Sequence, residues 1–399
     1  MIQSILDNDL YKFTMQNAVM KLYPNAKVKY QFINRGADKF PFGFAKRLKE
    51  NISKISELTL KKEEEKFLRE KCYFLDPVYI DFLKGYKFNP EEVKVTQRGN
   101  NLSIKIEGYW YRTILWEVPL LATISELYFS LKNKIKFDNK KLMELNISKA
   151  KKFEKLKIKF AEFGTRRRYS FENQFNVVQI LKKYAPKTLT GTSNVYLAYK
   201  HNLTPIGTQA HEWFMFHAAK YGFKMANTIS LGRWVDIYHG NLGIALSDTF
   251  TSEAFFDSFD TMYAKLFDGV RQDSGDPIKF ANDLIKHYKK LRINPKLKAI
   301  VFSDNLNLNK VLQIENKISP FINTSYGIGT FLSNDLPGIK PLNIVIKMVS
   351  AAPTGEDWIA TIKLSDIEGK HTGNKKVIKL AKQLLELSNN NVKLRMSKK

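Results

Sequence analysis

The sequence predicts an α/β fold whose C-terminal half contains a parallel sheet. From about residue 186 onward, short apolar segments end in small or polar residues and are followed by amphipathic segments. This alternation is typical of parallel strands joined by helices. A hydrophobic share of 44% and an aromatic share of 13% exclude disorder and a coiled coil for the chain as a whole. The pattern leaves open whether the sheet is open or closes into a barrel.

The N-terminal third predicts a mixed α and β region. Residues 9–23 carry apolar side chains at helical spacing, and residues 27–33 alternate as a half-buried strand does. Residues 93–109 are predicted to form a hairpin around a turn at 99–101. Residues 131–160 are rich in lysine and have helical periodicity, which indicates an exposed connecting helix.

A further helix is predicted directly after Asp276. The Asp276 side chain can accept hydrogen bonds from the first free amides, and Pro277 suits the first turn of a helix. Apolar residues then recur on one face at Ile278, Ala281, Leu284, Ile285, Tyr288 and Leu291. This segment is therefore one of the helices expected to follow a parallel strand.

The chain is strongly basic. Its 65 Lys and Arg residues exceed its 39 Asp and Glu residues, which gives a net charge of +26. The excess is mostly dispersed lysine, whereas nucleic-acid-binding surfaces cluster Lys and Arg with aromatic residues. We expect a solvated surface and no nucleic-acid partner, and a basic nucleic-acid-binding protein remains the alternative from another class. A cationic cleft would also suit a polyphosphate substrate.

Cysteine content and hydropathy indicate the compartment. The single cysteine, Cys72, excludes an internal disulfide framework and a cysteine-based zinc site. No apolar stretch approaches the ~20 residues that a membrane-spanning helix needs. The N-terminal residues have neither the basic start nor the apolar block of a signal peptide. We therefore expect a cytoplasmic protein without membrane association.

Polar residues follow six predicted strands. These endings lie at residues 190–193, 207–211, 247–249, 271–276, 303–305 and 327–330. The carboxyl ends of parallel strands open onto one face, and in α/β barrels that face carries the chemistry. Turn and cap residues explain any one ending, but six in succession favour a shared site.

Two of the segments are candidate anion sites. Gly327-Ile328-Gly329-Thr330 has two glycines that allow backbone amides to converge on a phosphate, and Thr330 can add a hydroxyl donor. The motif is short, so an ordinary turn is an equal alternative. Arg166, Arg167 and Arg168 follow Gly164 closely and can bind carboxylates or phosphates, although one or two of them can be structural.

Acids and one histidine provide the candidate catalytic groups. Asp248, Asp273 and Asp304 could hold Mg²⁺ through water or offset positive charge developing on a substrate. Arg271 points to the same side of a strand as Asp273 and could bind the opposite charge. His211 is a candidate nucleophile or general base whose tautomer is set by the adjacent Glu212 or by a carbonyl, with a structural histidine as the alternative.

Taken together, these segments resemble the nicotinate phosphoribosyltransferase family. The resemblance runs the length of the chain, and its segments are DLYKFTM at 9–15, FGTRR at 163–167, LTGTSNV at 189–195, GTQAHE at 207–212, RQDSGDP at 271–277 and the Gly327 loop. The order and spacing of these segments are far more specific than any one of them. The resemblance implies an irregular α/β barrel of residues 136–344 and a second α/β domain built from both chain ends, residues 1–135 plus 345–399.

The resemblance also implies a reaction. Nicotinate displaces pyrophosphate from 5-phosphoribosyl 1-pyrophosphate to give nicotinate mononucleotide, which leads to NAD by salvage. ATP is the implied co-substrate, hydrolysed through a phosphohistidine at His211, and Mg²⁺ is the implied cofactor. A homodimer with a shared active site is implied as well, in which Tyr11 stacks on the pyridine ring bound by the neighbouring subunit.

The same resemblance assigns roles to individual residues. The implied catalytic residues are His211, Asp273 and Asp248, and the last two also face the metal, directly or through water. The implied substrate-binding residues are Tyr11 and Phe163 for the ring, Arg166 and Arg271 for nicotinate and phosphate, Gly327, Gly329 and Thr330 for the 5′-phosphate, and Asp304 and Ser193.

Ser193 bears on substrate choice. The similar nicotinamide enzyme has an aspartate there, which repels the carboxylate of nicotinate, whereas Ser193 and backbone amides can donate to that carboxylate. Nicotinate is therefore favoured over nicotinamide, and nicotinamide phosphoribosyltransferase remains the nearest alternative beside the quinolinate enzyme. A phosphate-binding barrel lyase is less favoured, because none of the six strand ends carries a lysine.

Overall fold

The computed structural model describes residues 1–132 and 138–387 of the chain. Within these ranges the strands form two sheets, one of five strands and one of six. Helices alternate with the strands of the six-stranded sheet, so the predicted α/β class is confirmed.

The elements of the described ranges are named in chain order. The strands are β1 (Lys27–Asn34), β2 (Val93–Arg98), β3 (Asn101–Tyr109), β4 (Phe160–Glu162), β5 (Leu189–Thr192), β6 (Ile244–Leu246), β7 (Gly269–Gln272), β8 (Ala299–Phe302), β9 (Asn323–Ile328), β10 (Ile344–Ala352) and β11 (Ile359–Ala360). The helices are α1 (Leu10–Leu22), α2 (Phe44–Ser56), α3 (Lys62–Lys71), α4 (Pro77–Gly85), α5 (Trp110–Thr113), α6 (Glu117–Lys132), α7 (Asn139–Leu156), α8 (Phe171–Tyr184), α9 (Val195–His201), α10 (His211–Tyr221), α11 (Phe223–Tyr238), α12 (Ser252–Ser258), α13 (Thr261–Leu266), α14 (Pro277–Lys290), α15 (Leu308–Ile318), α16 (Thr330–Ser333) and α17 (Lys375–Leu384).

The five-stranded sheet joins the two ends of the chain. Its order is β11-β10-β1-β3-β2, and β1 pairs antiparallel with both β10 and β3. Lys27 is opposite Ala352 on one side and Tyr109 on the other. The predicted hairpin is present as β2 and β3, whose last pair is Arg98 with Asn101. Gly99 in its turn has φ +55°, a left-handed conformation that glycine adopts without steric cost.

The predicted domain ranges, 1–135 plus 345–399 and 136–344, remain a prediction. The strands of the antiparallel sheet come from both chain ends, and the strands of the other sheet lie between them in sequence. Residues 133–137 and 388–399 lie outside the described residues, so the predicted boundary between 135 and 136 falls where the structure describes nothing.

The six-stranded sheet is parallel and curves toward closure. Its order is β5-β4-β9-β8-β7-β6. Between the edge strands β5 and β6 lies the segment of residues 204–208. The amide of Ile206 donates to the carbonyl of Thr192 at 2.9 Å, and the Oγ1 of Thr208 donates to the carbonyl of Ile244 at 3.1 Å. A segment without regular strand pairing thus bridges the two edges, which makes the barrel irregular.

One apolar segment contradicts the hydropathy expectation. The segment Trp110–Lys132 spans α5 and α6 and is, at 23 residues, long and apolar enough to cross a membrane by length and composition. However, 83% of its apolar window is buried inside the protein. The segment is therefore a core helix of this fold, packed where Trp110 stacks near Trp213 and Phe216.

The helix predicted after Asp276 is confirmed as α14. The Asp276 carboxylate accepts hydrogen bonds from the amides of Ile278 at 2.8 Å and Lys279 at 3.0 Å. The buried face consists of Phe280, Ala281, Leu284, Ile285 and Tyr288. The acid is thus a cap and not a member of the site.

Candidate active site

A cavity of about 370 Å³ opens where the carboxyl ends of the parallel strands meet β10 of the antiparallel sheet. Its size suits a small-molecule site. The structure brings ten of the twelve predicted site residues to its wall: Tyr11, Phe163, Arg166, Ser193, His211, Arg271, Asp273, Gly327, Gly329 and Thr330. The other two, Asp248 and Asp304, lie outside the lining.

His211 stands at the first position of α10, at the inner end of this cavity. Its Nδ1 lies 3.0 Å from the Oγ1 of Thr249, and its Nε2 lies 3.1 Å from Asp273 Oδ2. The Nζ of Lys363 is 2.8 Å from the same Nε2. Nε2 thus lies between an ammonium, which only donates, and a carboxylate, which only accepts. The contact with Lys363 is the shorter one and fits a lone pair on Nε2, and in that tautomer Nδ1–H donates to Thr249.

The imidazole of His211 is neutral in this environment. Burial lowers its pKa to about 4, and the nearby Lys363 lowers it further while the aspartates oppose the shift. The prediction that Glu212 or a backbone carbonyl sets the tautomer was wrong, because Nδ1 contacts the hydroxyl of Thr249. The carboxylate of Glu212 instead contacts Lys12 and accepts from the hydroxyl of Tyr30 at 2.6 Å.

Asp248 lies directly behind His211. It is fully buried, and its Oδ2 accepts from the Oγ of Ser274 at 2.5 Å and from Lys363 at 3.3 Å. Its Oδ1 has no hydrogen-bond partner and lies 3.9 Å from His211 Nε2. Asp248 is therefore enclosed beneath the histidine and does not reach a substrate in the cavity, contrary to its expected place on the ribose side.

The fit of a divalent cation differs between the two predicted acids. His211, Asp248 and Asp273 each have one possible ligand atom, a ring nitrogen or a carboxylate oxygen. These three atoms lie within 4.8 Å of one another, which is close enough to bind one metal ion. Lys363, however, contacts two of these three groups and neutralises Asp248. An ion held between Asp248 and His211 does not fit beside this ammonium, whereas Asp273 faces the cavity and is open to one.

Asp273 is anchored at the end of β7. Its Oδ1 accepts from the Oγ of Ser303 at 2.8 Å. Although burial opposes ionisation, His211 and Arg271 hold the pKa of Asp273 well below its ordinary value. Asp273 is therefore a carboxylate that faces the cavity beside the histidine.

The opposite end of the cavity is aromatic and cationic. Tyr11 and Phe163 line it together with Arg166, whose Nη1 lies 3.5 Å from Glu117 Oε1. Tyr11 and Glu117 raise the pKa of Arg166, so the guanidinium stays charged. Tyr11 lines the cavity of its own chain, and its predicted stacking on a ring bound by a neighbouring subunit stays a prediction.

Ser193 does not offer the donors that the sequence predicted. Its hydroxyl donates to Asp9 Oδ1 at 2.7 Å, and its amide donates to the carbonyl of Glu162 at 2.8 Å. Both donors are therefore occupied within the protein. Burial raises the pKa of Asp9, which Arg166 partly offsets. Any discrimination by charge at this end rests on Arg166 and Asp9 together.

The glycine loop lies between β9 and α16. A Cβ on Gly327 would lie 2.4 Å from the ring of Phe163, so glycine is required for this ring to sit where it does. The amide of Phe163 donates to the carbonyl of Ile328 at 2.8 Å, which fixes the two segments to each other. Gly329 and Thr330 line the cavity beside them.

Asp304 and Arg168 have structural partners. Asp304 accepts from Lys370 Nζ at 2.8 Å and 3.0 Å and is absent from the cavity wall, so its expected substrate role is not supported. Arg168 is fully buried and forms an ion pair with Asp7 at 2.7 Å. Arg167 lines the cavity, and burial together with Arg166 lowers its pKa to about 10.

Sequence reasoning missed several residues of the site. Lys363 follows β11, and Lys347 lies on β10 in the cavity wall. Burial lowers the pKa of Lys347 to about 8, and Glu117 offsets this only in part. Asp9 and Glu117 also line the cavity. None of these residues stands at the end of a parallel strand, which was the signal used to find the others.

Comparisons with known proteins identify the family of this chain. The nicotinate phosphoribosyltransferase (NAPRTase) family model matches residues 158–389, and the N-terminal domain model of the same family matches residues 6–125. The nicotinate phosphoribosyltransferase of Chromohalobacter salexigens is 50% identical over 389 residues, which covers 97% of this chain and 99% of the relative. That of Desulforapulum autotrophicum is 50% identical over 387 residues, with the same two shares.

A solved structure superposes on nearly the whole of this chain. The crystal structure of nicotinate phosphoribosyltransferase from Porphyromonas gingivalis has a TM-score of 0.95 and 43% sequence identity to this chain. The superposition covers 97% of this chain and 100% of that one. The chain therefore belongs to the nicotinate phosphoribosyltransferase family and is an enzyme of this type.

Proposed function

We propose that this enzyme transfers the phosphoribosyl group of 5-phosphoribosyl 1-pyrophosphate to nicotinate, releasing pyrophosphate and nicotinate mononucleotide for NAD salvage. We further propose that ATP hydrolysis is coupled to this transfer through a phosphohistidine at His211. The observation that carries the proposal is one cavity whose wall contains a charged arginine, two aromatic rings and a neutral histidine.

The part of the cavity lined by Tyr11, Phe163 and Arg166, which we call the base end because it would bind the pyridine base, suits an aromatic carboxylate. Tyr11 and Phe163 offer ring faces on which a pyridine can stack, and Arg166 offers a guanidinium for the carboxylate. An uncharged amide would gain less from Arg166 than a carboxylate does. Nicotinate is therefore favoured over nicotinamide, although the reason is Arg166 and not the hydroxyl of Ser193.

The middle of the cavity suits ribosyl transfer. Breaking the bond between ribose and pyrophosphate leaves positive charge on the sugar, which a carboxylate such as Asp273 stabilises. Arg271 and Lys347 in the wall offer positive charge to the phosphate groups. Gly327, Gly329 and Thr330 line the wall where the 5′-phosphate is proposed to bind.

The His211 end suits phosphoryl transfer. The lone pair of Nε2 attacks the γ-phosphorus of ATP, the bond from that phosphorus to the bridging oxygen breaks, and ADP leaves. Lys363 beside Nε2 offsets the negative charge of the incoming phosphoryl group. Water later attacks the phosphohistidine and releases inorganic phosphate, which restores the neutral imidazole.

Mg²⁺ is proposed as the cofactor, with Asp273 as the acid that would hold it. Bound there, the ion would neutralise phosphate charge. We also propose that the enzyme acts in the cytoplasm as a homodimer with a shared active site, in which Tyr11 also stacks on the pyridine ring bound by the neighbouring subunit.

A turnover assay tests the proposed function. The enzyme is given 5-phosphoribosyl 1-pyrophosphate and Mg²⁺ with nicotinate, nicotinamide or quinolinate, each with and without ATP, and nucleotide formation is measured. We expect nicotinate to react fastest and ATP to increase its rate. Faster reaction of nicotinamide would support the alternative phosphoribosyltransferase. Salt-sensitive retention on DNA without any turnover would support the nucleic-acid-binding alternative.

A further inference from the structure

A buried cluster of charged residues connects the two ends of the cavity. Its centre is Lys12 on α1, whose side chain is fully buried. The Nζ of Lys12 lies 2.6 Å from Glu117 Oε2 and also contacts Glu212 Oε1. These two carboxylates are far from Lys12 and from each other in sequence. We call these residues, together with Arg166, the Lys12 ion cluster.

The two carboxylates lie side by side on Lys12, but they come from segments that contribute different parts of the site. Glu212 directly follows His211 at the start of α10 and also accepts from Tyr30. Glu117 begins α6 and lies 3.5 Å from Arg166 at the base end. A continuous line of ion pairs thus runs from Glu212 through Lys12 and Glu117 to Arg166.

The charges of the cluster balance, and Lys12 and its two carboxylates are shielded from water, whereas the Arg166 side chain is 41% exposed. Lys12 is fully buried, Glu212 is 7% exposed and Glu117 is 8% exposed. Burial opposes the charge on Glu117, but Lys12 and Arg166 hold its pKa at about 2. Two carboxylates therefore share one buried ammonium, and in such surroundings a stronger pairing with one weakens the pairing with the other.

Binding at Arg166 and phosphorylation at His211 would each alter how Lys12 is shared. A carboxylate bound by Arg166 would compete with Glu117 for that guanidinium, so Glu117 would rely more on Lys12. A phosphoryl group on His211 would add negative charge next to Glu212 in the chain. This charge would change the strength of the ion pair between Glu212 and Lys12. Lys12 touches neither group, so it acts through its two carboxylates.

We propose that Lys12 is a positioning residue that couples phosphorylation of His211 to the affinity of the Arg166 end for nicotinate. The inference rests on the proposed function and names the residues that link its two half-reactions. The coupling is reciprocal, so nicotinate also changes the equilibrium of His211 phosphorylation. A purely structural ion cluster would contribute to stability and leave this coupling unchanged.

The experiment measures nicotinate binding with and without ATP. Labelled nicotinate is titrated in equilibrium dialysis with full-length protein, Mg²⁺ and either no nucleotide or saturating ATP, and acid-labile phosphate on His211 is quantified in parallel. The test variant is Lys12→Met with Glu212→Gln, which removes one charge of each sign. Lys182→Met is a control for loss of a lysine elsewhere, because the exposed Lys182 donates to the carbonyl of His201 at 2.6 Å and does not line the cavity.

We expect ATP to lower the Kd of nicotinate by about 10-fold in the wild type, within the usual range of coupling between two sites. The double variant should still form phosphohistidine, while ATP changes its Kd by less than about 2-fold. The same ATP response in the double variant as in wild type would overturn the proposal. If the double variant does not fold, Glu212→Gln alone keeps the hydrogen bonds of the site and provides the same comparison.

Failure of the proposed function is distinguishable from failure of this inference. If the wild type forms no nicotinate mononucleotide, the proposed function is wrong. If it forms the product but ATP does not change nicotinate affinity, only the coupling through Lys12 is wrong.

Discussion

The Nζ atom of Lys363 lies 2.8 Å from the Nε2 atom of His211, although 152 positions separate the two residues in the chain. The same ammonium lies 3.3 Å from Asp248 Oδ2. Lys363 thus disfavours protonation of the imidazole and offsets the charge of the acid behind it. Burial is the larger cause of the lowered pKa of His211, and the ammonium is the reason why a metal does not fit between these two groups.

Replacing Lys363 by Met should slow the phosphorylation of His211. A positive group aimed at a developing charge contributes on the order of 10²-fold to a rate, so we expect a loss of about that size. The measurement is the rate of acid-labile phosphate formation from labelled ATP. Lys370→Met is the control, because Lys370 pairs with Asp304 away from the cavity wall. An unchanged rate in Lys363→Met would contradict the role proposed for this residue.

The charge of Lys347 predicts a pH dependence. Because its pKa is lowered to about 8, the side chain is charged below that pH and loses its charge as the pH rises through that value. We expect the KM for 5-phosphoribosyl 1-pyrophosphate to rise between about pH 7.5 and pH 9, since a cation facing the phosphates is lost. In Lys347→Arg the charge persists, so this rise should be absent. Equal pH profiles for the two proteins would show that another group titrates.

Arg166→Gln should weaken nicotinate binding selectively. A hydrogen bond to a charged group contributes ~1.5–3 kcal/mol, so the KM for nicotinate should increase about 10- to 100-fold. The KM for nicotinamide should change much less, because the amide carries no charge. Arg112→Gln is the control, since Arg112 pairs with Glu92 outside the cavity wall. Equal losses for both bases would mean that Arg166 does not bind the carboxylate.

Ser193→Ala should affect stability more than specificity. The hydroxyl donates to Asp9 at 2.7 Å, so its loss should lower the free energy of unfolding by about 1–2 kcal/mol. The ratio of kcat/KM for nicotinate to that for nicotinamide should stay within about 2-fold of wild type, which denaturant unfolding and steady-state kinetics measure together. A tenfold fall in this ratio would show that the hydroxyl binds the substrate after all.

Gly327→Ala should displace the ring of Phe163. The added Cβ would lie 2.4 Å from that ring, and overpacking of this kind costs ~1–3 kcal/mol. We expect a lower melting temperature and a raised KM for nicotinate. Gly85→Ala is the matched control, because an added Cβ meets no atom within 4 Å there. If the two variants behave alike, the close approach at Gly327 is not functionally important.

The sequence by itself determined the α/β class and much of the active site. The alternation of strands and helices and the cap at Asp276 predicted the elements, and the polar strand ends led to seven of the ten predicted cavity residues. Arg166 came from the arginine motif, and Tyr11 and Phe163 came from the family resemblance. These features are local, because a strand end or a helix cap is specified by a few neighbouring residues.

Only the tertiary structure decided which side chains share a hydrogen bond or an ion pair. In the structure Lys363 contacts His211, and the hydroxyl of Ser193 donates to Asp9. Asp304 pairs with Lys370, and Tyr11 lines the cavity of its own chain. Such pairings depend on distance in space between segments far apart in the chain. Periodicity and spacing carry no information about them, since they describe each segment by itself.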